Sequence, residues 1–95
     1  MSGVIEATKD LTAPPSREVA VNLASTDFDV AAVFGVPATA LYVGTAGDVI
    51  ARLSGTPAGT WVTRKNVPAG SYLVGRYVEV KKTGTTAADI VAECY

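Results

Sequence analysis

The sequence predicts an all-β chain: a small antiparallel β-sandwich or barrel of about seven short strands behind an extended N-terminal arm. Three observations lead there. Apolar runs are short and broken repeatedly by Gly, Pro and Thr, which is the spacing of strands and turns. Several runs alternate apolar with polar residues, the period of a half-buried strand. No long stretch repeats apolar residues at helical spacing.

Residues 1–16 are largely polar and end in Pro14-Pro15-Ser16. Paired prolines remove backbone donors and fix φ, so this segment reads as an extended arm rather than a helix or central strand. Residues 17–95 read as a single β domain. Its first strand is marked by Val19, Val21 and Leu23 alternating with Glu18, Ala20 and Asn22. Ala31 to Val36 is an apolar run stopped by Pro37 and is read as another strand. Leu41–Val43 and Val49–Leu53 flank Gly44-Thr45-Ala46-Gly47-Asp48, which reads as a hairpin whose glycines supply positive φ. Gly55, Pro57 and Gly59 mark a loop.

Trp61–Val67 resumes the strand pattern, and Val67-Pro68-Ala69-Gly70 reads as a type I turn with Pro second and Gly fourth. Tyr72–Lys82 is a long strand with Gly75 as its expected bulge. Thr83–Asp89 is a polar loop in which Thr86 could cap a single helical turn, and Ile90–Tyr95 is the closing strand.

Function classes fall away by counting. The chain has no histidine and one cysteine, Cys94, so zinc sites built from Cys and His and the commonest general base are excluded. Cys94 reads as a small buried hydrophobe. Asp27 and Asp29 lack the surrounding oxygens that calcium requires. Gly44–Gly47 is not a phosphate cradle, because the lysine is missing and Asp48 follows. No catalytic, cofactor-binding or metal-binding residue is assigned, and the chain is expected not to be an enzyme.

Eight basic and nine acidic residues give a net charge of −1, without the basic surplus of a nucleic-acid binder. No stretch reaches the length of a membrane helix and Met1–Lys9 lacks the pattern of a secretory signal, so neither a membrane nor a nucleic acid is an expected partner.

Apolar residues make up 48% of the chain and charged residues only 18%. A domain this size encloses a limited core volume, and surplus apolar surface marks contact sites. The expected partner is therefore the chain itself, as a homo-oligomer. Loops carried on a rigid scaffold commonly serve recognition, which selects Gly44, Gly47 and Asp48 in one loop and Thr85 and Thr86 in another. Tyr42, Trp61 and Tyr77 are the candidate packing or interface anchors.

Three strings carry a resemblance: Ala40-Leu-Tyr-Val-Gly-Thr-Ala-Gly-Asp-Val49, Asn66-Val-Pro-Ala-Gly70 and Thr83-Gly-Thr-Thr-Ala-Ala-Asp-Ile-Val91. In this order and spacing they resemble the spike base protein family of gene transfer agents and tailed bacteriophages. Ser71–Arg76 departs from that pattern in lacking a proline. The resemblance implies a structural virion protein at the head surface, a head decoration or spike base. It implies a ring, a pentamer, that touches the major capsid protein and lies beneath a spike or fibre protein. Synthesis and assembly are expected in the bacterial cytoplasm. Two other functions fit the same chemistry-poor residues: a tail or baseplate component, and a carbohydrate-binding module that stacks sugar on Trp61.

Overall fold

The computed structural model describes residues 17–95; the N-terminal arm of residues 1–16 lies outside them. The described residues form one antiparallel seven-stranded sheet with one short helix. The elements are β1 (Arg17–Ala20), β2 (Phe28–Asp29), α1 (Val30–Phe34), β3 (Ala38–Thr45), β4 (Gly47–Leu53), β5 (Val62–Val67), β6 (Ser71–Val80) and β7 (Ala88–Cys94). The strands run in the order β1-β7-β3-β6-β4-β5, with β2 paired to β6 off this path.

The alternation at the start of the domain appears as burial. Val19, Val21 and Leu23 pack against the core, while Glu18, Ala20 and Asn22 are exposed. Other expectations are corrected.

First, the run read as a strand at Ala31–Val36 overlaps the helix α1. Asp29 Oδ1 accepts the Ala32 N–H at 3.0 Å, Gly35 closes the turn at φ +78°, and its N–H donates to the Ala31 carbonyl at 2.8 Å. An Asp N-cap and a left-handed Gly C-cap supply the end groups that so short a helix lacks. They also account for Asp29 without calcium. Asp27 is likewise occupied, its Oδ1 accepting the Lys82 N–H at 2.8 Å.

Second, the Leu41–Leu53 hairpin does not exist. β3 and β4 are consecutive, separated by Ala46 alone, yet each pairs with β6, which lies between them. A one-residue link cannot reverse a chain into a two-strand ladder; it makes a corner instead. Third, no helical turn forms at Thr86–Asp89, which leads directly into β7.

The turn before β6 sits one residue later than the sequence pattern suggested. The Ser71 N–H reaches the Pro68 carbonyl at 3.3 Å, so Pro68–Ser71 is the turn and Gly70 is its third residue. Its φ of +83° is what a type II turn requires there.

β6 is bent at the expected place. Ala38 pairs with Tyr77 but Ala40 with Val74, which leaves one extra residue on β6 around Gly75. A second irregularity follows, with Arg52 opposite Glu79 and Leu53 opposite Tyr77. These bulges let one strand serve two ladders: its first half pairs with β3, its second half with β4. Bulges increase local twist, and here the sheet curls over its own core.

That core draws on every wall: Val30 and Phe34 from α1, Leu41 and Val43 from β3, Val49 from β4, Val67 from β5, Tyr77 and Val80 from β6, and Ile90 and Ala92 from β7. Arg17 fastens α1 to the sheet. Its Nη1 donates to the Phe34 carbonyl at 2.6 Å, its guanidinium lies 5.6 Å from the Phe34 ring centroid, and its Nη2 donates to Cys94 Sγ at 3.6 Å. Cys94 itself is buried.

Candidate functional site

The two segments read as loops in sequence meet in one corner, although only Ala46 of Gly44–Asp48 lies outside a strand. The Asp48 carbonyl accepts the N–H groups of Thr86 (2.9 Å) and Ala87 (3.1 Å). The Asp48 N–H donates to Thr86 Oγ1 at 2.8 Å, and the Ile50 N–H to Thr85 Oγ1 at 3.0 Å. Asp48 Oδ1 accepts the Asn66 N–H at 2.9 Å, and the Thr45 hydroxyl donates to Asp89 Oδ2 at 2.7 Å.

Threonine hydroxyls here continue a ladder that β7 has not yet begun. A side-chain oxygen can accept where no strand carbonyl is in reach. Asn66 and Asp89 both adopt positive φ, at 55° and 53°, as polar residues with locally bonding side chains tolerate better than others.

Gly44 and Gly47 belong to the same corner but not for their conformational freedom, since neither has positive φ. A Cβ on Gly47 would lie 2.5 Å from the Ala87 nitrogen, and one on Gly44 would lie 2.8 Å from Asp89 Cβ. Both are glycine because another backbone passes over them.

The aromatic candidates separate. Tyr77 is 2% exposed and belongs to the core, so its ring is a packing anchor and offers no surface to a neighbour. Its hydroxyl is buried without a hydrogen-bond partner among the described residues, and burial raises its pKa, against a lowering influence of Arg64. An orphaned buried hydroxyl keeps its desolvation cost and returns no bond. Tyr77→Phe is therefore expected to leave the fold intact and raise stability by about 1 kcal/mol, read as a higher urea midpoint at unchanged m-value. Trp61 is half-buried immediately before β5, and Lys81 Nζ lies 5.4 Å from its ring centroid. A cation already rests on the ring that a sugar would use, which weakens the carbohydrate-binding reading.

Tyr42 sits on the outer face of the sheet, and its surroundings were not legible as a group. The registers Glu18↔Glu93, Glu93↔Ala40 and Ala40↔Val74 form one row across β1, β7, β3 and β6. The next row is Ala20↔Val91, Val91↔Tyr42 and Tyr42↔Tyr72. Residues opposite one another, or two apart on a strand, share a face. The row between them, Ala92, Leu41 and Leu73, packs on the core, as do Ile90 and Val43 in the row beyond.

The outer face carries the Tyr42–Tyr72 ring pair, with centroids 5.2 Å apart and planes tilted by 58°. Tyr72 is 41% exposed and Val74 51% exposed. Beside them stands Glu93, only 5% exposed, whose Oε1 accepts the Tyr95 hydroxyl at 2.8 Å. The one ion pair among the described residues is Arg52–Glu79, at 2.7 Å. Glu93 and Glu18 face each other, and among the described residues neither forms an ion pair.

Burial raises the Glu93 pKa, opposed by the Tyr95 hydrogen bond and reinforced by Glu18. The nearby Glu93 charge, then burial, raises that of Tyr72. Tyr95 is pushed up to about 12, first by burial and then by its bond to Glu93.

These shifts have a stability consequence. Folding favours the protonated Glu93 carboxyl, so its contribution is complete below the ordinary value of 4.5 and is lost as pH rises through the higher folded value. Tyr95 adds a second loss between its ordinary 10.0 and about 12. Glu93→Gln keeps an acceptor for the Tyr95 hydroxyl and removes the charge. It is expected to flatten the acidic limb of the stability–pH profile and to raise neutral-pH stability, measured by urea unfolding across pH.

No family model matches this sequence, and neither does any curated protein. Among solved structures, one chain is similar over nearly its whole length, from a structure described as the capsid of a native GTA (gene transfer agent) particle computed with C5 symmetry. The two share 33% identity over 88% of each chain, with a TM-score of 0.62. This chain belongs to the structural proteins of gene-transfer-agent and phage-like particles. As a particle protein it is a virion component that assembles within a capsid, and an all-β scaffold with paired aromatics on one sheet face suits that work. Among the described residues no three acidic or cysteine side chains gather as metal ligands.

Proposed function

We propose that this particle protein is a head-surface subunit, a decoration or spike base, assembled as a symmetric ring, a pentamer, on the capsid. The observation that carries the reading is the similarity across 88% of both chains to part of a GTA capsid computed with C5 symmetry. The three sequence strings with spike-base character support the finer role, as does an outer sheet face that keeps Tyr72 and Val74 exposed. Burying apolar and aromatic surface between copies stabilises such a ring. The ring works by binding rather than catalysis: its underside meets the major capsid protein, and its upper side supports a spike or fibre protein. The arm of residues 1–16 serves as a tie to a neighbouring subunit.

Cryo-electron microscopy of particles from a strain lacking this gene tests the placement. Intact heads without the density seen at wild-type five-fold vertices support it. Loss of density from the tail or baseplate instead would assign the chain there.

A further inference from the structure

Charge is distributed along the sheet in a way that the fold does not require. At one end β7 carries Asp89 and Glu93 and no basic residue, and β1 adds Glu18 beside Glu93, while Arg17 of β1 is engaged by the Phe34 carbonyl and Cys94 Sγ. At the other end β5, an edge strand, carries Arg64 and Lys65 and no acidic residue. Residues 62–66 of β5 are all exposed, on both sides of the strand. The acidic end is continuous with the Tyr42, Tyr72 and Val74 surface. Glu93 is only 5% exposed and lies opposite Glu18, and among the described residues neither carboxyl pairs with a cation.

We propose that the outer face of β1–β7–β3–β6 receives the edge strand β5 of a neighbouring copy, with Lys65 of that copy meeting Glu18 beside Glu93, and Tyr42, Tyr72 and Val74 forming the apolar floor. The proposal deepens the ring reading above and rests on it.

The electrostatics select the geometry. An isologous contact through the acidic face would set Glu18 and Glu93 against their own copies, and one through β5 would set Arg64 and Lys65 against theirs. Like charges brought together disfavour both. A contact from acidic face to basic edge neutralises each, and when each interface uses one face and one edge it is heterologous, the type that closes into a ring when its rotation divides the circle. The same basic residues prevent β5 from adding to another copy's β5, a common protection for edge strands. Glu93 is poised for this arrangement: Tyr95 holds one of its oxygens, and Glu18 lies alongside on the adjoining strand.

The test is a charge exchange followed by native mass spectrometry and sedimentation over a concentration series. Glu18→Lys with Glu93→Gln reverses the face; Arg64→Glu with Lys65→Glu reverses the edge. Each pair alone is expected to weaken assembly by about tenfold or more, and all four changes in one chain are expected to restore it. Circular dichroism and melting of each variant separate lost assembly from lost folding.

In a second measurement, a Glu18→Cys chain is mixed with a Lys65→Cys chain under oxidising conditions. A disulfide-linked dimer that needs both chains supports the contact. The same dimer from Lys65→Cys alone, or rings that persist through every reversal, overturns it while leaving the ring itself standing. A wild-type chain that stays monomeric throughout the concentration series overturns both.

Discussion

Replacing Gly47 with alanine is expected to destabilise the domain by about 3 kcal/mol, the range of overpacking against elements that cannot step aside. A single methyl would sit 2.5 Å from the Ala87 nitrogen, 2.7 Å from Ala87 Cα and 2.7 Å from the Thr86 carbonyl carbon. All three are backbone atoms, so no side-chain rotation relieves the clash. That backbone is also pinned: Thr86 and Ala87 donate to the Asp48 carbonyl, and Thr86 accepts from the Asp48 N–H. Moving it to admit the methyl breaks those bonds.

Urea unfolding should show a lower midpoint with unchanged slope, and thermal melting a fall of about 4–8 °C per kcal/mol. Gly55 is the control. It has no heavy atom within 4 Å of a built Cβ and no positive φ, so Gly55→Ala is expected to be neutral or stabilising by up to about 1 kcal/mol. Equal losses at both positions would show that close approach is not what Gly47 provides.

Gly47 also shows why part of the fold was legible and part was not. Local signals read well. The alternation at Val19–Leu23 appears as burial, and the bulge at Gly75 is where the glycine suggested. Each depends on a few neighbouring residues.

What failed depends on distant partners. Glycine has two uses, positive φ and close approach, and the sequence alone favours neither. Gly44 and Gly47 were read by the first use and belong to the second, because Asp89 and Ala87 lie about forty residues away in the chain. For the same reason two adjacent strands resembled a hairpin: nothing local announces that β6 will insert between β3 and β4. The helix α1 was missed because a short apolar run suits either period, although Asp29 and Gly35 stood at its ends as caps. The outer face was hidden further still. Glu18, Tyr42, Tyr72 and Glu93 become neighbours only through three strand registers, and Tyr77, which resembles the other tyrosines in sequence, points inward.

The two faces of the sheet can be told apart by truncating one residue on each. Leu41 and Val74 lie on neighbouring strands, Leu41 fully buried and Val74 51% exposed. Leu41→Ala removes a side chain enclosed by the core and leaves a cavity that backbone ladders on both sides of β3 prevent from collapsing. The expected loss is about 3–4 kcal/mol, enough to endanger a domain of this size, since small domains have total stabilities of about 5–15 kcal/mol.

Val74→Ala removes less apolar surface and removes it from water, so it should change the stability of the isolated chain by no more than about 0.5 kcal/mol. The ordering reverses in assembly. If Val74 lies under a neighbouring subunit, its truncation weakens the oligomer severalfold at constant monomer stability, because the apolar area lost is area that association would have buried. Unfolding of the dilute monomer and sedimentation of the concentrated protein, run on both variants, separate the two quantities. Should Val74→Ala alter neither one, the exposed row of β6 is not an assembly surface, and the apolar surplus in the sequence must find its partner elsewhere on the domain.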